Sequence, residues 1–354
     1  MEQQYIGCDA HRRYSVFVVM DDKGQASKPV RVEHDRSELR EYLRRLPAGS
    51  KVAIESTGGW YWLVDEIEAA GLKPQLANAY QAKQRMAGRN KTDKFDARGL
   101  AMELLTGTLP TVWIPPAELR DLRGLMRTRL ALRSCSTQVK NRVSAALNRY
   151  GLKKPDEDGD LFTGRGRVHL NSHIQSLPEE TREATLHEWI LIDEIGEHIA
   201  ALEKRIEQRI GQREDMRRLK TLPGVGRILG ATLLLEIGDV ERFPSAPHLA
   251  SYAGLVPTVH SSGVKTWHGK VPRSANLFLK WAFIEAANCI VVHQSRLKGR
   301  HVVNLYQRLK AAKGHGKAAV AVARHLAEAS WWILTKQQSY REPNRAPIAS
   351  SAHG

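Results

Sequence analysis

The stretch from Pro116 to Tyr150 constrains the fold of this chain more than any other. It contains no proline beyond its first residue. Its apolar residues Leu119, Leu122, Met126, Leu130, Val139, Val143 and Leu147 keep a three-four spacing. One continuous helix is predicted, on the order of 45 Å long at ~1.5 Å per residue. From Arg120 to Lys154 ten Lys or Arg residues accompany a single acid, Asp121. A merely solvated helix face would mix both signs. This one offers an apolar stripe to a partner helix and a basic remainder to phosphates, with Arg127, Arg133, Lys140 and Arg142 as the candidate contacts. A second helical stretch at roughly 179–217, mixed in charge, completes a helical hairpin between two globular ends. For 354 residues, two domains and a connector is also the expectation from length.

The first hundred residues are α/β. Tyr5–Asp9 (YIGCD) and Tyr14–Met20 (YSVFVVM) are strand-like, DDKG at 21–24 is turn chemistry, and 29–33 suits a third strand. A helix at 37–46, a buried strand KVAIE at 51–55, an amphipathic helix at 60–70 and a strand at 72–78 follow. Trp60 and Trp62 face the core of this part. The order is that of an RNase H-like domain, an antiparallel meander continued by parallel strands.

Four acids stand out on that frame. Asp9 closes the first strand, Glu55 closes KVAIE ahead of STGG, and Asp93 and Asp96 lie three apart at a helix start in KTDKFDARGLA. Two strand ends and one helix face can converge. Four such carboxylates would repel one another unless cations lay among them, and hard oxygen donors suit Mg²⁺ or Mn²⁺. Metal ions so held can activate a nucleophile and stabilise a leaving oxygen in phosphodiester cleavage. Taken singly, each acid also suits a blander role: Asp93 as a helix N-terminal charge, Asp9 as a turn residue.

The second half is expected to be mostly helical. In LPGVGRILGATLLLEIGD (222–239), Gly224 and Gly226 resemble the hairpin of a helix-hairpin-helix motif, in which backbone N–H groups meet a phosphate beside Arg227. The same pair suits an ordinary tight helix–helix turn. In AGLVPTVHSSGVKTWHGKVPRSAN (253–276), Ser261 and Ser262 lie in a predicted loop with Lys265, Lys270 and Arg273 nearby. A serine hydroxyl is a weak nucleophile and needs activation. On residue chemistry alone Ser-Ser-Gly is a polar turn, and the basic context marks a nucleic-acid surface.

A net charge of +16 points to a polyanionic partner, and it also suits a ribosome-associated or simply soluble basic protein. Cys8, Cys135 and Cys289 stand far apart, which fits a reducing compartment and excludes a thiolate zinc site of the usual spacing. No apolar run reaches the ~18 residues of a membrane span, so a cytoplasmic, nucleoid-associated protein is expected.

In this order the motifs GCDAH (7–11), ESTGGW (55–60), KTDKFDARGLA (91–101), TLPGVGRILGATLLLEIGD (221–239), YAGLVPTVHSSG (252–263) and KGHGKAAVAVARHLA (313–327) resemble the DEDD transposases of the insertion-sequence-110 family, the bridge-RNA-guided serine recombinases. The likeness runs from about Tyr5 to Trp332. It departs at Asn78-Ala79, where Asn-Pro is the pattern. The resemblance implies a RuvC-like domain over 1–115 whose metal ligands are Asp9, Glu55, Asp93 and Asp96. It also implies a transposase domain over 219–338; the residues between read as a helical connector over 116–218, with a linker or flexible insertion near 151–178 where Pro155, DEDGD (156–160) and TGRGR (163–167) lie. The serine before glycine would be the nucleophile joined to DNA, here Ser262, with Ser261 as the fallback. Donor and target DNA, a bridge noncoding RNA, and dimers pairing into tetramers are the implied partners. Residues 339–354 are expected to be a disordered tail. Two other readings remain: a RuvC-type metal-dependent structure-specific endonuclease, which needs the acids and no serine, and a non-catalytic nucleic-acid scaffold.

Overall fold

The computed structural model describes residues 4–56, 58–78, 81, 93–152, 160–257, 259–262, 265–268 and 275–343, with backbone alone at 93–95, 259–262 and 265–268. The chain divides into two compact units, Met1–Ala117 and Glu118–Gly354. The fold is mixed α/β, with a sheet in the first unit and helices dominating the second.

The first unit is built on one six-stranded sheet in the order β3-β2-β1-β4-β5-β6. β1 (Tyr5–Ala10), β2 (Tyr14–Met20) and β3 (Val30–Glu33) form the antiparallel meander. β4 (Lys51–Glu55) and β5 (Lys73–Ala77) extend it in parallel, and the short β6 (Thr111–Val112) closes the edge antiparallel. The expected strand sequence is what is found, with β6 as an addition too short to leave a pattern. Alternation along each strand sends side chains to two faces. Ile6, Cys8, Phe17 and Ile54 meet α1 (Arg36–Arg44) and α2 (Trp60–Ala69) through Leu39, Leu43, Leu63 and Ile67, with Trp60 and Trp62 at the margin. Val16, Val18, Ala53 and Ala77 meet α3 (Asp93–Leu105) through Ala97, Leu100 and Leu104. The helices of the first layer are tied by Arg40, which grips the buried Glu66 through Nε and a terminal nitrogen at 2.6 and 2.9 Å.

The second unit opens with the long helix, α4 (Ala117–Arg149), as predicted. It runs antiparallel to α6 (Glu179–Ile210). Arg209 pairs with Glu118, Arg129 with Glu203 and Arg142 with Glu188, so the rungs ascend one helix as they descend the other. The helical hairpin is therefore present. The stretch 151–178, expected as a linker, is corrected: Gly164–Gln175 is a helix, α5. Its Leu170 and Ile174 sit one turn apart and join Leu161, Leu177, Val143, Leu147 and Ile192 in a core of their own. Gly166 makes this possible, since a Cβ there would lie 2.3 Å from the Asp160 carbonyl oxygen.

After α7 (Glu214–Leu219), α8 (Arg227–Ile237) runs through the middle of the C-terminal core, buried from Gly230 to Ile237. It is surrounded by α9 (Ala246–Tyr252), α10 (Leu277–Val292) and α11 (His301–Lys336, broken at Gly314). Residues 339–343, assigned to a disordered tail by their polarity, are instead held. Tyr340 N donates to Thr221 Oγ1 at 2.8 Å, and the Glu342 carboxylate accepts from Arg300 at 2.7 Å and from His301 N at 2.9 Å. Residues 344–354 lie outside the described residues. Among the described residues no helix is long and apolar enough to cross a membrane.

Two glycines give opposite expectations. A Cβ at Gly7 would fall 1.8 Å from the Ala97 carbonyl oxygen, so Gly7→Ala should destabilise the first unit by about 3 kcal/mol or more. Gly124, inside α4, has nothing within 4 Å of its Cβ position, and Gly124→Ala should stabilise by about 0.5–1 kcal/mol. Denaturant titration of both variants checks the pair.

A pH test follows from Glu66. Arg40 holds its carboxyl below the usual glutamate range. The native state therefore binds fewer protons than the unfolded one. The stability this contributes is complete above the ordinary glutamate pKa and is lost as pH falls through the lower, folded one. The stability difference between wild type and Glu66→Gln should shrink across that acidic window, read by chemical denaturation at stepped pH.

Candidate functional site

Asp9 and Glu55 reach one place by strand register. β1 and β4 are parallel with Cys8 opposite Ile54, so one step further Asp9 and Glu55 stand side by side at the strand ends. Asp9 shares its face with Tyr5 and Gly7, and Glu55 shares that face with Ala53. This is the face α3 covers: Gly7 receives the α3 backbone at Ala97, and Ala53 packs against Leu100. Asp93 and Asp96 lie in the opening turns of α3, one turn before Ala97 and Leu100 respectively. Asp96 is half-buried. The side chain of Asp93 lies outside the described residues. Among the described residues no group of three or more His, Cys, Asp or Glu side chains is arranged to hold a metal ion.

The neighbour that sequence reasoning missed is His11. Its Nε2 lies 3.1 Å from Asp9 Oδ2, with the Asp9 side chain 14% exposed. The imidazole packs on the Tyr14 ring at 4.5 Å, and the Arg31 guanidinium covers the same ring at 3.8 Å. The signal was present in GCDAH, a histidine two residues past an acid at a strand end, but only the Asp9–Val16 pairing of the meander brings Tyr14 round to support it. Cys8, beside Asp9 in sequence, points to the other face, and burial pushes its thiol up to about 12. It is an inert core residue.

In the second unit the expected loop around the two serines is corrected. β7 (Val259–Ser262) pairs antiparallel with β8 (Lys265–His268), with Ser261 opposite Thr266 and Ser262 opposite Lys265. Val259, Thr266 and Trp267 are residue types that favour strands, a propensity that Ser-Ser-Gly obscures in the sequence. Lys270 and Arg273 lie outside the described residues.

The turn before α8 divides the work of its glycines. Gly224 has φ +75°, and a Cβ on it would lie 2.3 Å from the Ala286 carbonyl oxygen of α10, so it serves close packing. Gly226 is exposed at the N-cap of α8 with open space at its Cβ position. Arg227 pairs with Glu203 at 3.0 Å.

The basic candidates on α4 fare unequally. Arg127 donates from Nε and a terminal nitrogen to the two carboxylate oxygens of buried Glu236, at 2.7 and 2.8 Å. Arg142 pairs with Glu188, and Lys140 lies 4.9 Å over the Phe162 ring. Arg133 is exposed.

Comparison with known proteins places both regions in one family. A model of the IS110 DEDD transposases matches residues 6–152, and the transposase IS116/IS110/IS902 family matches residues 216–302. The chain belongs to the IS110 family of transposases. It is a DNA-transposing enzyme, and the first match spans all four acids while the second spans both serines. It is 26% identical over 299 residues to the transposase for insertion sequence element IS1111A of Coxiella burnetii, covering 82% of this chain and 79% of that one. A probable family 20 transposase of Pseudomonas aeruginosa is 24% identical over 317 residues, covering 86% and 90%. The pilin gene-inverting protein of Moraxella bovis is 31% identical over 145 residues, covering 36% and 45%.

Arg127 and Arg133 of this transposase should separate in one experiment. Arg127→Ala leaves Glu236 buried without its main partner and should cost about 2–3 kcal/mol of stability. Arg133→Ala should leave stability unchanged and lower the slope of log affinity for DNA against log salt by about 1. Thermal denaturation and binding across a salt series give both readings.

Proposed function

We propose that this transposase cuts and rejoins donor and target DNA through a covalent serine–DNA intermediate assisted by a carboxylate-held divalent metal, and that a bridge noncoding RNA supplies the sequence specificity. The observation carrying this reading is that both constellations fall inside matches to one family, with Asp9 and Glu55 brought to neighbouring strand ends under α3.

The strand order, a meander continued by two parallel strands, supports reading residues 1–115 as a RuvC/RNase H-like catalytic domain. Its acids are all hard oxygen donors, the type of ligand that takes Mg²⁺ or Mn²⁺, and Asp9 and Glu55 share one face of the sheet. Among the described residues Asp9, Glu55 and Asp96 do not form a group arranged to hold a metal ion, and the side chain of Asp93 lies outside the described residues. Asp9, Glu55, Asp93 and Asp96 would hold the ion, which when bound stabilises charge on the phosphate and on the leaving oxygen. His11, with Nε2 3.1 Å from Asp9 Oδ2, neighbours the Asp9 carboxylate.

Ser262 Oγ attacks phosphorus, the new Oγ–P bond forms as the bond to a deoxyribose oxygen breaks, and the proton passes to that oxygen. A hydroxyl from another strand then attacks the same phosphorus and returns the proton and the serine. Ser261 is the alternative nucleophile. Lys265, opposite Ser262 in the hairpin, with Lys270 and Arg273 further along, supplies cationic groups for the phosphate.

Residues 116–218 act as the connector and 219–338 as the transposase domain, in which Gly226 and Arg227 offer a helix-hairpin-helix-like contact to backbone phosphate. The charge of +16 supports RNA as well as DNA binding, with base pairing reading the sequence and protein reading backbone and shape. The assembly proposed is a tetramer built from dimers; Ile190 and Leu191 on α6 and Val168 on α5 are exposed apolar side chains available to a partner. The enzyme acts where bacterial DNA is, in the cytoplasm on the nucleoid.

The test incubates full-length protein, the element's flanking noncoding RNA, donor and target DNA, and Mg²⁺, and looks for protein–DNA adducts that survive denaturation. Adducts should need RNA and metal, and Ser262→Ala and Asp9→Ala should each reduce them by a factor on the order of 10³ or more. Cleavage without adduct, untouched by Ser262→Ala and Ser261→Ala, would replace this reading with a structure-specific nuclease.

A further inference from the structure

We infer that Glu236 is a positioning residue for the serine-bearing segment: fixed by Arg127, it holds Asn276, which closes the two ends of residues 253–275 on one buried anchor. The inference rests on the serine reading above for its catalytic consequence, and on geometry alone for the anchoring.

Asn276 uses all its polar groups at once. Its side-chain oxygen accepts from Phe278 N and Leu279 N, both at 3.0 Å, and so caps α10. Its side-chain nitrogen donates to Glu236 Oε2 at 2.9 Å. Its backbone N–H donates to the Tyr252 carbonyl oxygen at 2.8 Å. Tyr252 is the last residue of α9, just before the segment, and Asn276 is the first residue after it. The strands carrying Ser261 and Ser262 therefore hang from a closed neck.

The neck is fixed from the Tyr252 side as well. The Tyr252 ring packs against Phe243 at 5.2 Å, and the Arg242 guanidinium lies 4.5 Å over it.

Glu236 is an unlikely residue for packing alone. Its neighbours from Gly230 to Ile237 are all buried, and an apolar side chain of similar size would fill the same space without desolvating a charge. Instead its carboxylate is locked by Arg127 through two hydrogen bonds, with Arg123 Nε at 3.9 Å and Arg123 itself bonded to the Leu235 and Glu236 carbonyl oxygens at 2.7 and 2.9 Å. A carboxylate so fixed is a rigid acceptor. It sets where Asn276 stands, and Asn276 sets where the segment begins and ends.

Asn276→Ser separates positioning from folding. Serine keeps the N-cap of α10 but is too short to reach Glu236. In the full-length variant, amide exchange at 259–262 and 265–268 should rise severalfold. Thermal midpoint and DNA affinity should hold, and the rate of adduct formation at saturating DNA should fall about tenfold or more. Unchanged exchange in those strands overturns the inference whatever the chemistry. A midpoint and DNA affinity that fall in step with the rate also overturn it, because Glu236 would then act on folding alone. Raised exchange in the variant, with no adduct at either serine in the wild type, supports the anchoring and removes the serine reading instead.

Discussion

The approach of α3 to β1 at Gly7 governs the acidic end of the first unit. A helix backbone rests directly on a strand there, with the Ala97 carbonyl where any other residue would carry its Cβ. The contact does two things at once. It draws the first turns of α3, with Asp93 and Asp96, down over the face that Asp9 and Glu55 share. It also leaves the opposite face, with Cys8 and Ile54, free to build the larger core under α1 and α2. Small residues at Ala53, Ala77 and Ala97 keep the helix close along its length. Asp9 and Glu55 thus sit at strand ends of a tightly packed layer, and Asp93 and Asp96 lie in the first turns of the helix that covers it, an arrangement compatible with the proposed metal site.

The second unit solves a comparable problem with charge. Burying the Glu236 carboxylate and the Arg123 guanidinium is expensive unless their hydrogen-bonding atoms find partners. Around Glu236 the pairs are well made, and they link α4, α8 and the start of α10. Such a cluster contributes less to net stability than apolar packing of the same volume would. What it provides is direction, because its hydrogen bonds are satisfied in one relative placement of the three helices. Gly224 enforces the same placement sterically, by fitting its turn against Ala286.

Strongly periodic elements were legible in the sequence. The strand alternation around Asp9 and the apolar stripe of α4 come from residue types that bury themselves regardless of context. Elements whose reason lies elsewhere in the chain were not. α5 carries Thr-Gly-Arg-Gly-Arg at its start, composition that reads as coil. It is helical because Leu170 and Ile174 have Val143, Leu147 and Ile192 to pack against. The β7–β8 pair is hidden by Ser-Ser-Gly, since a strand of only four residues shows little alternation. Residues 339–343 looked like tail because the partners that hold them, Thr221 and Arg300, are remote in sequence. His11 became notable only when the meander turned Tyr14 toward it.

Charge was the least transferable quantity between sequence and site. The basic surplus on α4 reads as a uniform phosphate-binding face, yet the fold assigns its members separate tasks. Arg123 and Arg127 are engaged by Glu236 and the carbonyls beside it and Arg129 by Glu203, Arg142 makes a largely exposed pair with Glu188, and Arg120 is buried. Pairing of this kind cancels the field a residue would project, so a helix rich in arginine need not be a strong anion-binding surface. Arg133, exposed and with no ion pair among the described residues, is a position on α4 that stays available to an anion. Net charge points toward a polyanion; the internal ion pairs tell which cations are left to meet one.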